Sequence, residues 1–225
     1  MSTVTGGQGN IVTNGLVLNL DAANPRSYLQ PYNGTAWRNL VPVSSSLVGT
    51  LTNGPTFSTS GSGCIVFDGV DDTCKINSNA NITPGLGNFT LDLWINPVTF
   101  NTPFSPIYVT ALSNGLWIGT NNTNFVIRAY AISNLLTYAV LPTLNTWTNV
   151  IISRNNTTFF LYYNGVQVST STATQNFVQG DIYLASDNGG TLTNIKIAST
   201  KYYNRALSAS EVLQNFNATR ARFGV

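Results

Sequence analysis

Asp68, Asp71 and Asp72 stand close together in the stretch VFDGVDDT. Hard cations such as calcium bind several oxygen ligands, and a turn with three carboxylates and its own carbonyl groups can supply them. Aspartates in tight turns also accept hydrogen bonds from nearby backbone amides, which is the structural alternative for Asp68 and Asp71. The three aspartates are therefore candidate calcium ligands, and residues 186–188 (SDN) form a second oxygen-rich loop of the same kind.

Trp117 lies in a polar context, NGLWIGTNN, with Asn121 and Asn122 after it. Sugar sites pair an aromatic platform with amide or carboxyl groups that bind hydroxyls. Tyr130 and Tyr138 fall on neighbouring predicted strands and would extend such a platform. We therefore take all five residues as candidate glycan-binding residues. The alternative is that the three aromatic side chains are buried in the sheet or in a subunit interface, where tyrosine and tryptophan are enriched.

Cys64 and Cys74 bracket a predicted turn at residues 69–72. If the flanking strands pair as a hairpin, a register in which paired residue numbers sum to 138 places the two cysteines opposite one another. A cross-strand disulfide is then one alternative. Two buried, reduced thiols are the other, and synthesis in a cytosol favours the reduced form.

The chain has no histidine and a single glutamate, Glu211. This excludes histidine-based triads, histidine general bases and histidine-ligated metals. Glycoside hydrolysis needs two carboxyl groups that face one bond. Asp92, the best-placed carboxylate on a predicted strand, has no acidic residue two positions away. We expect no enzymatic activity.

Alternation of apolar and polar residues predicts strands along most of the chain. Residues 89–96 (FTLDLWIN) alternate cleanly, and Asn164-Gly165 predicts a type I′ turn between strands at 158–163 and 166–170, because both residues tolerate positive φ. Short strands separated by frequent turn residues are typical of a sandwich or barrel. The sequence therefore predicts an all-β fold.

One short helix is predicted near the C-terminus. Ser208 and Glu211 have the S-x-x-E spacing of a capping box, in which each side chain bonds the backbone N–H of the other residue. Val212, Leu213 and Phe216 follow as an apolar stripe that would pack on the sheets.

Length and composition fit one domain with an unusually uncharged surface. The chain has 225 residues, 8% of them charged, and a net charge of +2. A surface of low charge favours association, so we expect a homo-oligomer. The basic residues are scattered, which argues against nucleic-acid binding. No apolar run is long enough to span a membrane and no secretory signal is evident. Residues 1–14 are predicted to form a flexible arm before a single domain at 15–225.

Four stretches resemble one family: residues 15–28 (GLVLNLDAANPRSY), 64–76 (CIVFDGVDDTCKI), 145–167 (NTWTNVIISRNNTTFFLYYNGVQ) and 202–225. Together they are similar to the laminin-G-like branch of the concanavalin A-like lectin/glucanase superfamily, in the version common in bacteriophage and viral proteins. The resemblance implies an antiparallel two-sheet jelly-roll sandwich with a short C-terminal helix.

The resemblance also carries functional expectations. Glucanase relatives place their carboxylates on one strand as E-x-D-x-E, a pattern that this chain lacks around Asp92, whereas laminin-G-like relatives often bind calcium. The version resembled implies a non-enzymatic protein of the virion surface, either a capsid decoration protein or a head or tail fibre component, assembled in the host cytoplasm. Its expected partners are the major capsid protein or other virion proteins, with a trimer as the expected oligomer, and host-cell glycans. A free carbohydrate-binding lectin is the alternative function.

Overall fold

The chain folds into two antiparallel sheets that pack face to face, with one short helix on the outside of one sheet. The computed structural model describes residues 10–29, 34–44, 46–101, 103–110, 113–188 and 190–225. The strands in these ranges are β1 (Leu16–Asp21), β2 (Ala36–Arg38), β3 (Val48–Thr52), β4 (Thr56–Ser58), β5 (Cys64–Asp68), β6 (Thr73–Ile76), β7 (Phe89–Pro97), β8 (Phe104–Thr110), β9 (Leu116–Asn121), β10 (Asn124–Ala129), β11 (Ser133–Tyr138), β12 (Thr148–Asn155), β13 (Thr158–Tyr163), β14 (Val166–Thr172), β15 (Ile182–Leu184) and β16 (Asn194–Tyr203). The helix is α1 (Ala209–Thr219), and short 3-10 helices span Pro42–Ser44, Ser60–Ser62, Ala80–Ile82 and Arg220–Arg222.

Each sheet is built from strands that are distant in sequence. The first sheet has the order β14-β13-β12-β7-β16-β5-β4, with β1 also paired to β16. The second sheet has the order β11-β10-β9-β8-β15-β6-β3-β2. This architecture confirms the predicted all-β, two-sheet antiparallel sandwich with a short C-terminal helix.

The main core lies between the two sheets. Alternate residues of β7, at positions 89, 91, 93 and 95, enter this core, as the alternation predicts. Leu116 and Ile118 of β9 enter it from the second sheet, as do Phe125 and Ile127 of β10. Because successive side chains of a strand point to opposite faces, the residues between them lie on the outer face of the second sheet.

α1 covers part of the outer face of the first sheet. Ser208 Oγ accepts a hydrogen bond from the Glu211 amide and a Glu211 carboxylate oxygen accepts one from the Ser208 amide, so the capping box forms as predicted. Val212 and Phe216 are buried, whereas Leu213 is 46% exposed and does not belong to the apolar contact. No helix in the described ranges combines the length and apolarity needed to cross a membrane.

The predicted hairpin between the two cysteines is wrong. β5, which begins at Cys64, pairs with β4 and β16 in the first sheet, whereas β6, which contains Cys74, pairs with β3 and β15 in the second. Cys64 packs on the helix side of the first sheet and Cys74 in the main core. Both thiols are free and buried, and burial raises the pKa of Cys74 to about 12.

Part of the predicted N-terminal arm is attached to the domain. The Val12 amide donates a hydrogen bond of 2.8 Å to Asn215 Oδ1 of α1, and Tyr203 Oη donates one of 3.0 Å to the Val12 carbonyl. Arg205 Nε also donates to the Asn14 carbonyl. Residues 10–14 of the predicted arm are therefore hydrogen-bonded to α1 and to residues at and just after the end of β16, and residues 1–9 lie outside the described residues.

Candidate functional site: a cavity on the outer face of the second sheet

Trp117 and Arg128 face each other across neighbouring strands of the second sheet. They are register partners in the β9–β10 pair. Leu116 and Ile118 point into the core, so Trp117 points outward. In β10, Ile127 and Ala129 point into the core on either side of Arg128, so Arg128 also points outward. Strand alternation and register therefore place an indole ring and a guanidinium side by side on the outer face.

Phe104 completes this aromatic cluster from β8. Its ring lies 5.9 Å from the Trp117 ring, edge to face at 80°. The guanidinium carbon of Arg128 lies 5.0 Å from the centre of the Phe104 ring and 5.6 Å from that of Trp117. These distances are those of cation–π contacts. Trp117 is consequently 1% exposed, so its ring is packed beneath its neighbours and is not displayed as an open platform.

Gly119 makes room for the Trp117 ring. A Cβ atom at this glycine would lie 2.7 Å from Cη2 of Trp117 and would also collide with the carbonyl oxygen of Ser105 on β8. The indole therefore lies across the position where the next outward side chain of β9 would otherwise stand.

The loop between β15 and β16 forms part of the wall of the site. Ser186 and Leu192 bridge the base of this loop, and the Asp187 amide donates to the Thr191 carbonyl at 3.1 Å. Tyr130 Oη donates a hydrogen bond of 3.2 Å to Asp187 Oδ2. Burial, together with the nearby Asp187 carboxylate, raises the pKa of Tyr130, so its hydroxyl remains protonated at neutral pH.

A cavity of about 220 Å³ opens between the aromatic cluster and this loop. We call it the Arg128 cavity, and it is lined by Phe104, Trp117, Arg128, Tyr130, Ala131, Asp187 and Thr191. Its walls combine aromatic surface with a cation, a carboxylate and a phenol hydroxyl. Such a lining binds a compact polar ligand through apolar contact on one side and hydrogen bonds on the other.

The structure brings together two of the five candidate glycan residues. Trp117 and Tyr130 both line the Arg128 cavity. Asn121 and Asn122 lie at the far end of the β9–β10 hairpin, where Asn121 pairs with Asn124. The predicted grouping of all five is therefore wrong, since a hairpin separates its turn from its open end.

Tyr138, the fifth candidate, also lies away from the cavity. Its ring packs edge to face with Tyr163 of the first sheet at 5.6 Å and rests against the main core. It therefore belongs to the contact between the sheets and adds nothing to an outward-facing aromatic platform.

The three aspartates of the calcium prediction do converge. Their carboxylate oxygens lie within 4.8 Å of one another at the turn between β5 and β6. Asp68 Oδ1 accepts hydrogen bonds from the Val70 and Asp71 amides, and Asp72 Oδ2 accepts one from the Asp68 amide. The turn contacts and the oxygen cluster thus coexist. The oxygens not used by these bonds fit a hard cation, which Asp68, Asp71 and Asp72 would hold.

The two predicted oxygen-rich loops meet at a second cavity, beside the first. This cavity, of about 260 Å³, is lined by Asp71 from one loop and Asn188 from the other, together with Asn53, Val70, Thr73, Tyr183 and Leu192. Asp187 and Thr191 point instead into the Arg128 cavity. The β15–β16 loop therefore separates two cavities, and each receives polar side chains from it.

The two carboxylates considered for catalysis make structural contacts. Asp92 is 1% exposed and accepts hydrogen bonds from Asn149 and Asn215, and Lys201 Nζ lies 3.7 Å from it. Glu211 is held by Arg205 at 2.6 Å as well as by the helix cap. The described lining of the Arg128 cavity contributes a single carboxylate, Asp187.

Arg128 is the residue of this site that sequence reasoning missed. Its place two residues before Tyr130 on a predicted strand was a sufficient indication that both share one face. Its pairing with Trp117 depends on the β9–β10 register, which the strand pattern does not fix. The sequence indicates Asp187 only as part of an oxygen-rich loop that could bind calcium. Its contact with Tyr130 joins residues 57 positions apart, and no local pattern predicts it.

Solved structures share this fold. A Trypanosoma rangeli sialidase superposes with a TM-score of 0.70 at 16% identity, over 94% of this chain and 34% of its own. The binding domain of Paraclostridial Mosquitocidal Protein 1 gives 0.70 at 17% identity, over 91% and 52%. The botulinum neurotoxin serotype D binding domain gives 0.69 at 15%, over 90% and 51%. The chain thus spans a third to a half of these relatives.

A search of curated protein sequences finds no significant match. A laminin-G family model, described as concanavalin A-like lectin/glucanases superfamily, matches residues 68–213. This range includes every strand of the Arg128 cavity and the loop that closes it. The chain belongs to the concanavalin A-like lectin/glucanases superfamily and is a lectin-like β-sandwich domain.

Proposed function

We propose that this chain is a carbohydrate-binding domain and that the Arg128 cavity holds the sugar. The observation that carries the proposal is that the Phe104–Trp117 cluster and the Tyr130–Asp187 pair line one cavity. Sugars present both an apolar face of C–H groups and a rim of hydroxyls. The partly exposed rings of Phe104 and Tyr130 match the apolar face, and the Asp187 carboxylate matches the hydroxyls.

The fold relatives support this proposal. Two of them are described as binding domains of toxins, and another is a sialidase whose structure was solved with sialic acid. In each case the likeness shows the shared fold alone. We propose that this domain shares a binding role with them and acts without catalysis, since Asp92 and Glu211 are engaged in structural contacts and the cavity offers one carboxylate.

A glycan array followed by titration tests the proposal. Tyr130→Phe removes the phenol hydroxyl and Asp187→Asn removes the charge, and both keep the shape of the wall. Each variant should weaken sugar binding about tenfold, because a hydrogen bond to a charged group contributes about that factor. Tyr138→Phe is the matched control, since Tyr138 lies outside the cavity, and it should bind as the wild type does.

The outcomes distinguish a wrong binding site from a wrong function. Glycan binding that survives both Tyr130→Phe and Asp187→Asn would place the sugar elsewhere on the domain. A complete absence of glycan binding by the folded wild-type protein would refute the carbohydrate-binding proposal.

A second proposal is that the domain works on the surface of a phage-type virion, as decoration or fibre. The low charge, 8% of residues, supports it because such a surface repels copies of itself weakly. A density gradient of the source lysate, with this chain quantified against the major capsid protein, tests it. Comigration at near-capsid stoichiometry supports decoration and comigration at a few copies supports a fibre. Recovery only among free proteins refutes the virion role.

A further inference from the structure

We propose that the sugar bound in the Arg128 cavity is acidic, and that Arg128 binds its carboxylate. This inference rests on the proposed carbohydrate-binding function and specifies its ligand class. The evidence is that Arg128, the cation in the cavity lining, has a buried Nε–H without a hydrogen-bond acceptor.

Within the described part of the chain, the guanidinium of Arg128 donates no hydrogen bond and has no carboxylate within 4.0 Å. Its Nε is buried without a hydrogen-bond partner. A guanidinium carries five N–H donors, and the burial of one of them, here Nε, without an acceptor is costly. The guanidinium lies against the rings of Phe104 and Trp117.

Arg154 shows how the same chain treats a structural arginine on aromatic rings. Its guanidinium carbon lies 5.3 Å from the Phe159 ring and 5.7 Å from the Phe177 ring. Arg154 Nε donates to the Asn156 carbonyl and Nη1 to the Gly85 carbonyl. Here the guanidinium packs against the rings, and backbone carbonyl oxygens accept its hydrogen bonds. Arg128 has the rings without the acceptors, and it lines a cavity.

Other arginines of the domain are neutralised where they pack against the fold. Arg205 forms an ion pair with Glu211 at 2.6 Å and Arg222 with Asp21 at 2.9 Å. Arg128 differs from both because no described carboxylate, Asp187 of the same cavity included, lies within 4.0 Å of its guanidinium nitrogens, and its described ring contacts are with Phe104 and Trp117. A planar guanidinium binds a carboxylate through two parallel hydrogen bonds, so a ligand carboxylate completes this arrangement.

Asp187 sets the orientation of the ligand. It lines the same cavity but makes no ion pair with Arg128 within 4.0 Å, and its Oδ2 accepts a hydrogen bond from Tyr130 Oη. Its negative charge repels a ligand carboxylate and accepts sugar hydroxyls. An acidic sugar is therefore expected with its carboxylate towards Arg128 and its hydroxyls towards Asp187.

The test compares acidic sugars with their own methyl esters. Methyl glycosides of galacturonate, glucuronate and N-acetylneuraminate are titrated by NMR into the labelled full chain, each beside the ester that removes only the charge. At least one acid should bind about tenfold or more tightly than its ester, as expected for a charge-assisted hydrogen bond. Arg128→Gln should abolish that preference.

Arg38→Gln is the matched control, because it removes one positive charge from an exposed position on the edge strand β2. It should leave the preference for the acid intact. Arg128→Lys keeps the charge without the planar fork and should retain part of the preference. A preference lost equally in Arg38→Gln would show a general effect of net charge and overturn the role of Arg128.

Failure of this inference is distinct from failure of the proposed function. Equal binding of acids and esters, weakened by Asp187→Asn, would overturn the acidic ligand and leave carbohydrate binding in place. Glycan binding on the array with no binding of any acidic sugar would do the same. Absence of all carbohydrate binding would overturn both.

Discussion

Asn215 of α1 donates a hydrogen bond of 3.1 Å from Nδ2 to Oδ2 of Asp92 in β7, across 123 residues of sequence. The same amide group also donates to Tyr203 Oη at 2.9 Å, and Asn215 Oδ1 accepts from the Val12 amide. The buried side chain of Asn215 thus links α1 to β7, to the end of β16 and to the N-terminal segment. Asp92 is 1% exposed, and it accepts one of its hydrogen bonds from Asn215 and another from Asn149.

Replacement of Asn215 by alanine should destabilise the fold by about 2–4 kcal/mol, since it removes one buried hydrogen bond each from the Asp92 carboxylate and Tyr203 Oη and leaves the Val12 amide without its described acceptor. Chemical denaturation measures this change. Gln214→Ala is the control, because the described hydrogen bond of Gln214 is exposed and joins only the Asn10 carbonyl. Equal effects of the two substitutions would show that the network around Asp92 does not hold α1 in place.

The Arg205–Glu211 pair should make stability depend on pH. The ion pair with Arg205 lowers the pKa of Glu211 to about 2 from its ordinary value of 4.5. The stabilisation is therefore present above about pH 4.5 and is lost as pH falls towards 2. We expect Glu211→Gln to cost about 1 kcal/mol at pH 7, because the pair is partly exposed and screened by solvent. The cost should vanish near pH 2 in denaturation curves, and a pH-independent cost would assign it to the helix cap alone.

Ionisation of Asp72 should destabilise the fold, whereas ionisation of Glu211 stabilises it. Burial raises the pKa of Asp72, as do the charges of Asp68 and Asp71, against the hydrogen bond from the Asp68 amide. The ionised group therefore destabilises the fold, and that penalty disappears as pH falls through the raised pKa. Without calcium, Asp72→Asn should melt at a higher temperature than the wild type at pH 7, with no difference well below pH 4.

The same variant tests the calcium prediction. Millimolar calcium should raise the melting temperature of the wild type and leave that of Asp72→Asn almost unchanged, because the cation offsets the repulsion among the three carboxylates. A wild-type melting curve that is insensitive to both calcium and chelator would dismiss the site. The turn hydrogen bonds would then be the whole role of these aspartates.

Features set by short stretches of sequence could be predicted. The capping box at Ser208 and Glu211 forms because both partners lie within one helical turn. Asn164 and Gly165 adopt φ values of 49° and 77° between β13 and β14, as their tolerance of positive φ indicates. These local rules, applied along the chain, led to the all-β class.

Features that depend on pairing between distant strands could not be predicted in the same way. The segment from Cys64 to Cys74 has the local pattern of a hairpin, yet its two strands enter different sheets because each finds a partner far away in sequence. The candidate site has the same origin. Trp117 and Tyr130 could be identified by residue type, whereas Arg128 and Asp187 join them only through register and loop closure.

The burial of Trp117 changes the expected result of replacing it. If the Trp117 ring were an exposed platform for sugar, alanine could replace it with little change in melting temperature. Because the ring is 1% exposed, Trp117→Ala should instead cost about 3–5 kcal/mol. Loss of sugar binding by that variant would then be ambiguous, since a partly unfolded site also binds nothing.

Gly119→Ala gives a sharper test of the same packing. The added methyl group would meet Cη2 of Trp117 and the Ser105 carbonyl oxygen, so either the indole or the β8–β9 pairing must shift. We expect a loss of about 1–3 kcal/mol, as for overpacked sites, together with a changed tryptophan fluorescence spectrum. Gly34→Ala is the control, because a methyl group there meets no atom within 4 Å. If Gly119→Ala leaves stability and fluorescence unchanged, Trp117 does not lie across Gly119, and the aromatic wall of the Arg128 cavity is not built as described.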